Sequence, residues 1–218
     1  MRLTHFAHSC FLVEAQDATR LILDPYRHGC FDGALRYAPI DEAADAVLAS
    51  HEHDDHGAAD TIPGHPQVFV HPSSERVGSV LITGIEVAHD EAGGSKRGKN
   101  TIMVIDDGDL RLAHLGDLGH LLDTGTIKSI GQVDIALVPV GGFFTIDHRE
   151  AAAVVDALDP KIVVPMHYKT DKVDFPISPI DEFLTTQKLV QRNPGPTLEV
   201  TRATLPSERT TIVLEDSR

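Results

Sequence analysis

Short apolar runs separated by polar turns organise the chain, and long amphipathic stretches are few. Residues Arg2 to Asp24 read as two strands, Cys10-Phe11-Leu12-Val13 and Leu21-Ile22-Leu23, joined as a hairpin across the polar stretch Glu14 to Thr19. Asp24-Pro25 ends this unit, because Pro has no amide to give a ladder and biases the residue before it away from helix. Ala46-Val47-Leu48-Ala49 reads as a buried strand, and Val68-Phe69-Val70 as the next. Ser73 to Val80 is expected to form a helix capped by Ser73 or Ser74, and Ile85 to Ala88 a strand that runs into His89.

The second half echoes the first. A hairpin of Thr101 to Ile105 and Leu110 to Leu115 turns around Asp106-Asp107-Gly108-Asp109 and ends in Gly116-Asp117, as the first hairpin ends in Asp24. A helical stretch is expected after each hairpin, followed by a strand that opens with Asp: Asp45 to Leu48 in one half, Asp134 to Val138 in the other. Asp147 with Glu150 makes a capping-box start for a helix through Leu158, and Lys161 to Pro165 is a strand that hands over to Met166-His167. The pattern predicts two β-rich halves with helices outside, packed in layers around one core, with residues 1–218 as one domain.

Composition narrows the function classes. The 218 residues are 41% hydrophobic and 24% charged, so the chain can bury a core and is not disordered. A net charge of −14 repels phosphate backbones and anionic lipid, which excludes nucleic acid and membrane as expected partners. The start, Met1 to Phe6, lacks the apolar core of a secretory signal, and the expected location is the cytosol. Cys10 and Cys30 read as packing thiols. The outlying number is 13 His beside 33 carboxylates, the donor set that divalent metals use.

His51-x-His53-x-Asp55-His56 is the sharpest feature. It sits at the C-terminal end of a buried strand, the edge where open sheets bind ligands. His51 and His53 project to one side of an extended or turning backbone, and Asp55 and His56 can aim at a neighbouring point, so one loop can serve two metal sites. Four clustered polar groups on a buried strand are costly without a compensating partner, and a metal supplies it. His89, Asp117 and His167 also follow apolar strands, and strand ends meet at one sheet edge.

In order and approximate spacing, His51-x-His53-x-Asp55-His56, His89, Gly116-Asp117 and Pro165-Met166-His167 resemble the five metal-ligand motifs of the metallo-β-lactamase superfamily. His8-Ser9-Cys10-Phe11, His114 to Asp117 and Val140 to Thr145 resemble the small bacterial metal-dependent hydrolases related to L-ascorbate-6-phosphate lactonase. The resemblance implies an αββα sandwich of two mixed β-sheets flanked by helices. It also implies one metal on His51, His53 and His89, and a second on Asp55, His56 and His167. Asp117 would bridge, with Asp55 and Asp117 as the catalytic carboxylates. Two divalent ions are expected, Zn²⁺ first, with Mn²⁺ or Fe²⁺ also compatible with these donors. The expected reaction is attack by a metal-activated hydroxide on a small polar or anionic ester, lactone or phosphodiester. Two other readings stay open: an iron-dependent oxidoreductase on the same fold, and a non-catalytic metal- or ligand-binding module. Monomer and homo-oligomer both fit the composition.

The remaining features receive smaller roles. His114 is assigned the orientation of a metal-bound carboxylate, and His8 either lines the site or packs under it. His120 and His148 read as solvent-exposed. Gly93 to Asn100 has the Gly spacing of a phosphate loop but is followed by a strand where that motif needs a helix. It reads as a mobile flap whose Lys96, Arg97 and Lys99 make a positive spot. Tyr168 or Lys169 is a candidate contact for a substrate carboxylate or phosphate, beside the plainer reading of a basic, aromatic loop without that role, and Phe143 stands where the lactonase branch often has His.

Overall fold

The computed structural model describes all 218 residues. Two mixed sheets face each other. The first comprises β1 (Arg2–Ala7), β2 (Cys10–Glu14), β3 (Arg20–Leu23), β4 (Ala46–Ala49), β5 (Gln67–Val70) and β13 (Thr197–Glu199), in the order β13-β1-β2-β3-β4-β5. The second comprises β6 (Ser74–Val77), β7 (Val80–Ala88), β8 (Lys99–Asp106), β9 (Arg111–His114), β10 (Ile135–Pro139), β11 (Ile162–Met166), β12 (Val190–Arg192) and β14 (Thr210–Val213). Its order is β12-β14-β11-β10-β9-β8-β7-β6. In each sheet an antiparallel meander gives way to parallel pairs: β3 with β4 and β5 in one, β9 with β10 and β11 in the other.

Strand sequences without polar alternation are explained by burial on both faces. In β3, Leu21 and Leu23 enter the core between the sheets while Ile22 joins the outer cluster; in β4, Ala46 and Leu48 point inward and Val47 outward. In β10, Ile135 and Leu137 fill the same central core, and Ala136 and Val138 pack with Val154, Val155 and Phe183 of the outer helices. The helix His148–Leu158 begins at a capping box made by Asp147 and Glu150, as its sequence predicts.

Three expectations are corrected. Arg2–Ala7 is a third strand of the first unit, which therefore has three strands and not two. Residues Ser74–Val77 form a strand, not a helix: they pair antiparallel with β7 across Gly78-Ser79, a turn with Gly at φ +57°. No helix follows Asp24 either. There the outer layer is loop, with Tyr26, Leu35, Tyr37 and Ile40 covering the outer face of the first sheet, and the turn at Cys30–Gly33 carries left-handed Phe31 and Asp32. A helix does follow Asp117, at Thr124–Ile130. No helix is long and apolar enough to cross a membrane.

Candidate metal centre

The site is assembled where strands of both sheets end. β4 delivers Ser50 and the 51–56 turn, β7 delivers His89, β9 delivers Asp117 and β11 delivers His167; β1 and β3 add His8 and Asp24. Backbone bonds stitch the two edges together: His167 N–H to the His8 carbonyl (3.2 Å) and Thr101 N–H to the Ser50 carbonyl (3.0 Å). The chain leaves four of these strands through left-handed residues, His8 (φ +56°), Asp24 (+45°), Gly116 (+54°) and His167 (+52°). For a side chain with a Cβ each such residue costs about 1–3 kcal/mol, strain that surrounding structure must hold. At Gly116 a Cβ would come within 2.2 Å of Asn100 Oδ1 and 2.7 Å of Ser50 Cβ, so only glycine fits. Asn100 itself clamps this segment, donating to the Leu115 carbonyl and accepting from Asp117 N–H.

All seven residues singled out from the sequence meet. His51, His53 and His89 place donor atoms within 4.8 Å of one another, as do His51, His56 and Asp117. Asp55, His56 and His167 make a further group, which His8 joins. Asp117 lies between: its Oδ1 is 3.1 Å from His56 Nε2, and its Oδ2 is 3.2, 3.5 and 3.9 Å from Nε2 of His89, His167 and His51. His8 Nε2 lies 3.4 Å from Asp55 Oδ2.

Asp24 was visible in the sequence only as a strand terminator, yet it sets the orientation of two rings. Its carboxylate accepts from Ser50 N–H (2.7 Å), from Ser50 Oγ–H (2.7 Å) and from His56 Nδ1–H (2.8 Å). Because the Ser50 hydroxyl proton goes to Asp24, Ser50 Oγ is left to accept from His51 Nδ1–H at 3.0 Å. Both rings then turn Nε2, with its lone pair, toward Asp117. The signal that could have found Asp24 is its placement at a strand end, matching Asp117.

The charges fit a cation. His51 Nε2, His56 Nε2, His8 Nε2 and Asp117 Oδ1 are buried without a hydrogen-bond partner, which is costly unless something else satisfies them. Burial, then the neighbouring His56, pulls His51 down to about 3, and burial pulls His167 to about 3. Burial alone would raise Asp117, yet His167 and His56 hold it well below the ordinary carboxylate range. Burial alone would likewise lower His56, but Asp117 and Asp55 drive it well above its usual value. The carboxylates thus demand positive charge at their centre, held by a proton on His56 while His51 and His167 stay neutral, and a cation would take that proton's place; donors of this kind, without thiolate, match Zn²⁺, Mn²⁺ or Fe²⁺.

Other assignments change. His114 does not touch the Asp117 carboxylate: its Nε2–H donates to the Ser9 carbonyl and its Nδ1 accepts from Gly116 N–H, so it holds the backbone before Asp117. His120 is half-buried, its Nε2 accepting from Ala88 N–H, and His148 pairs with Glu182 at 3.2 Å. Lys169 turns from the cavity to the Phe175 carbonyl (2.8 Å), and Tyr168 packs against the outer core. The Gly93–Asn100 loop is tied down: Asp90 accepts from the backbone N–H groups of Ala92, Gly94, Lys96 and Arg97. Cys10 and Cys30 are buried and unpaired.

Comparison with known proteins agrees with this architecture. A family profile described as a beta-lactamase superfamily domain matches residues 2–167. A UPF0173 metal-dependent hydrolase of Korarchaeum cryptofilum is 29% identical over 78% of this chain and 84% of its own. A UPF0173 protein of Pyrococcus abyssi is 31% identical over the same shares. Among solved structures, a Thermotoga maritima protein of the metallo-β-lactamase superfamily superposes with a TM-score of 0.81 at 34% identity, covering 99% of each chain. With its two mixed sheets and strand-end His/Asp cluster, the chain belongs to the metallo-β-lactamase superfamily and, within it, to the metal-dependent hydrolases.

Proposed function

We propose that this chain, as one domain, hydrolyses a small polar or anionic ester, lactone or phosphodiester at a pair of divalent cations, zinc in the first instance. His51, His53 and His89 would hold one, Asp55, His56 and His167 the other, and Asp117 both. The observation that carries this reading is the set of buried, unpartnered His and Asp atoms facing one another beneath the main cavity. Cations bound there would acidify a water and polarise the electrophile.

The protein's own groups supply the rest. Asp24 and Ser50 keep the Nε2 lone pairs of His51 and His56 available, one ring in each group. Asp117, with one oxygen toward His56 and the other toward His89, ties the two groups together. His53, Asp55, His89, Asp117 and His167 line the cavity and so are within reach of a substrate. We place the reaction in the cytosol, on a small molecule, with neither nucleic acid nor membrane as partner.

Elemental analysis and a panel of lactones, esters and phosphodiesters, run on the native protein and on Asp117→Ala, test the reading. The variant should lose at least one metal equivalent and its turnover. Native metal content in the variant would contradict the bridging role, and a metal-loaded native protein inactive on the whole panel would contradict hydrolysis.

A further inference from the structure

The cavity above the His/Asp floor has a volume of about 450 Å³, within the range of small-molecule sites. Its lining is aromatic on one side. Phe31, Phe144 and Phe175 come from separate segments and stand edge to face, with ring centroids 5.6 Å (Phe31–Phe175) and 5.8 Å (Phe144–Phe175) apart. Phe143 extends the row, 4.8 Å from Phe144. Half of the chain's eight phenylalanines therefore gather here. Phe144 and Phe175 also pack against the outer core of the first sheet, but core packing does not account for Phe31 and Phe143, which are 50% and 62% exposed. Both also sit at positive φ, +52° and +61°, a strained place for a bulky side chain and one that concentrates at ligand sites.

Lys96 and Arg97 line the same cavity. Lys96 is paired with Glu91, but the Arg97 guanidinium has no carboxylate oxygen within 4.0 Å. Its guanidinium carbon lies 5.5 Å from the Phe144 ring centroid, and its backbone N–H is fixed on Asp90 at 2.7 Å. On a chain of net charge −14, this is an uncompensated cation held at the aromatic wall. The distant negative charge is screened within about 8–10 Å, so at this wall a ligand meets Arg97, while Asp55 and Asp117 lie on the floor where the cations proposed above would offset them.

We propose that the substrate is an anion bearing a flat apolar group, which lies against Phe31, Phe144 and Phe175 while its negative charge pairs with Arg97. The bond broken rests on the hydrolytic reading above: water oxygen adds to carbonyl carbon or phosphorus, the bond to the leaving oxygen breaks, and the two protons of water end on the acid and alcohol products. Recognition rests on the cavity side chains alone.

Isothermal titration of the metal-loaded protein with benzylphosphonate and methylphosphonate separates these contributions, because both probes offer a cation the same group and differ in the ring. The native protein should bind the benzyl compound roughly tenfold more tightly, and Phe31→Ala should reduce that preference about three- to tenfold. Arg97→Ala should weaken both probes about tenfold, and Arg97→Lys should retain most of the affinity. Equal affinities in the native protein, or native affinities in Arg97→Ala, would overturn the proposal. These readouts need no turnover. Failure of the metal-loaded protein to cleave 4-nitrophenyl acetate or bis(4-nitrophenyl) phosphate would count against hydrolysis and leave the binding result standing.

Discussion

Asp24 accepts a hydrogen bond from His56 Nδ1–H at 2.8 Å, while the opposite nitrogen of that ring stands 3.1 Å from Asp117. Through Ser50 the same carboxylate also orients His51. One residue outside both candidate ligand groups thus fixes a tautomer in each. Asp24→Asn should lower metal affinity about 10- to 100-fold, the usual cost of losing such a partner. Competition with a chromophoric chelator measures this, and circular dichroism checks the fold. Native affinity in a folded variant would mean that the two rings are positioned by something else.

The two ligand groups should empty separately. His53→Ala touches only the group with His51 and His89, and His167→Ala only the group with Asp55 and His56. Each variant should retain one of two metal equivalents, whereas Asp117→Ala should weaken both. Metal-to-protein ratios after gel filtration at fixed free zinc give the answer; loss of both equivalents in His53→Ala alone or in His167→Ala alone would argue for one shared site.

Gly116→Ala should destabilise the protein by about 2–4 kcal/mol. The estimate combines a left-handed residue gaining a Cβ with overpacking against Asn100 and Ser50. The urea midpoint should fall with an unchanged slope. Metal affinity should fall with it, because Gly116 precedes Asp117. A variant as stable as the native protein would show that this corner yields more easily than its contacts imply.

Asp17 couples stability to pH. Its carboxylate accepts from the backbone N–H groups of Ser79 (2.8 Å) and Thr19 (2.9 Å), joining the turn after β2 to the turn between β6 and β7 across the two sheets. Those bonds, Ser79 first, hold its pKa below the ordinary carboxylate range. The fold therefore favours the ionised form. Its contribution is complete above about pH 4 and fades as pH falls through the lowered value. The difference in Tm between native protein and Asp17→Asn should be largest near neutrality and shrink below pH 4. A constant difference down to pH 2 would exclude the coupling.

The legibility of these features follows their range along the chain. His51, His53, Asp55 and His56 fall within six consecutive positions after a buried strand, so local spacing was sufficient to single them out. His89, Asp117 and His167 share one local sign, a polar residue just past an apolar run. Where two local signals compete, long-range pairing decides between them. Ser73-Ser74-Glu75 looks like a helix start, but Gly78-Ser79 between Val77 and Val80 is a hairpin turn, and pairing with β7 prevailed. Arg2–Ala7 is not legible as a strand because it lacks a clean polar alternation, both of its faces being partly buried.

Residue order alone determined most of the strand-and-turn pattern and the His/Asp donor set, which depend on neighbours within a few positions, and the superfamily resemblance, which depends on the order of such short motifs along the chain. Tertiary structure decided what depends on partners far apart in the chain. Asp24 meets His56 across 32 residues, His8 reaches Asp55, His114 turns to Ser9, and Phe31, Phe144 and Phe175 form one wall with Arg97 beside it. Hydrogen bonds and ring contacts act over a few ångströms: strand pairing within the first sheet brings Asp24 to His56 and His8 to Asp55, and packing the second sheet on it brings His114 to Ser9 and closes the aromatic wall.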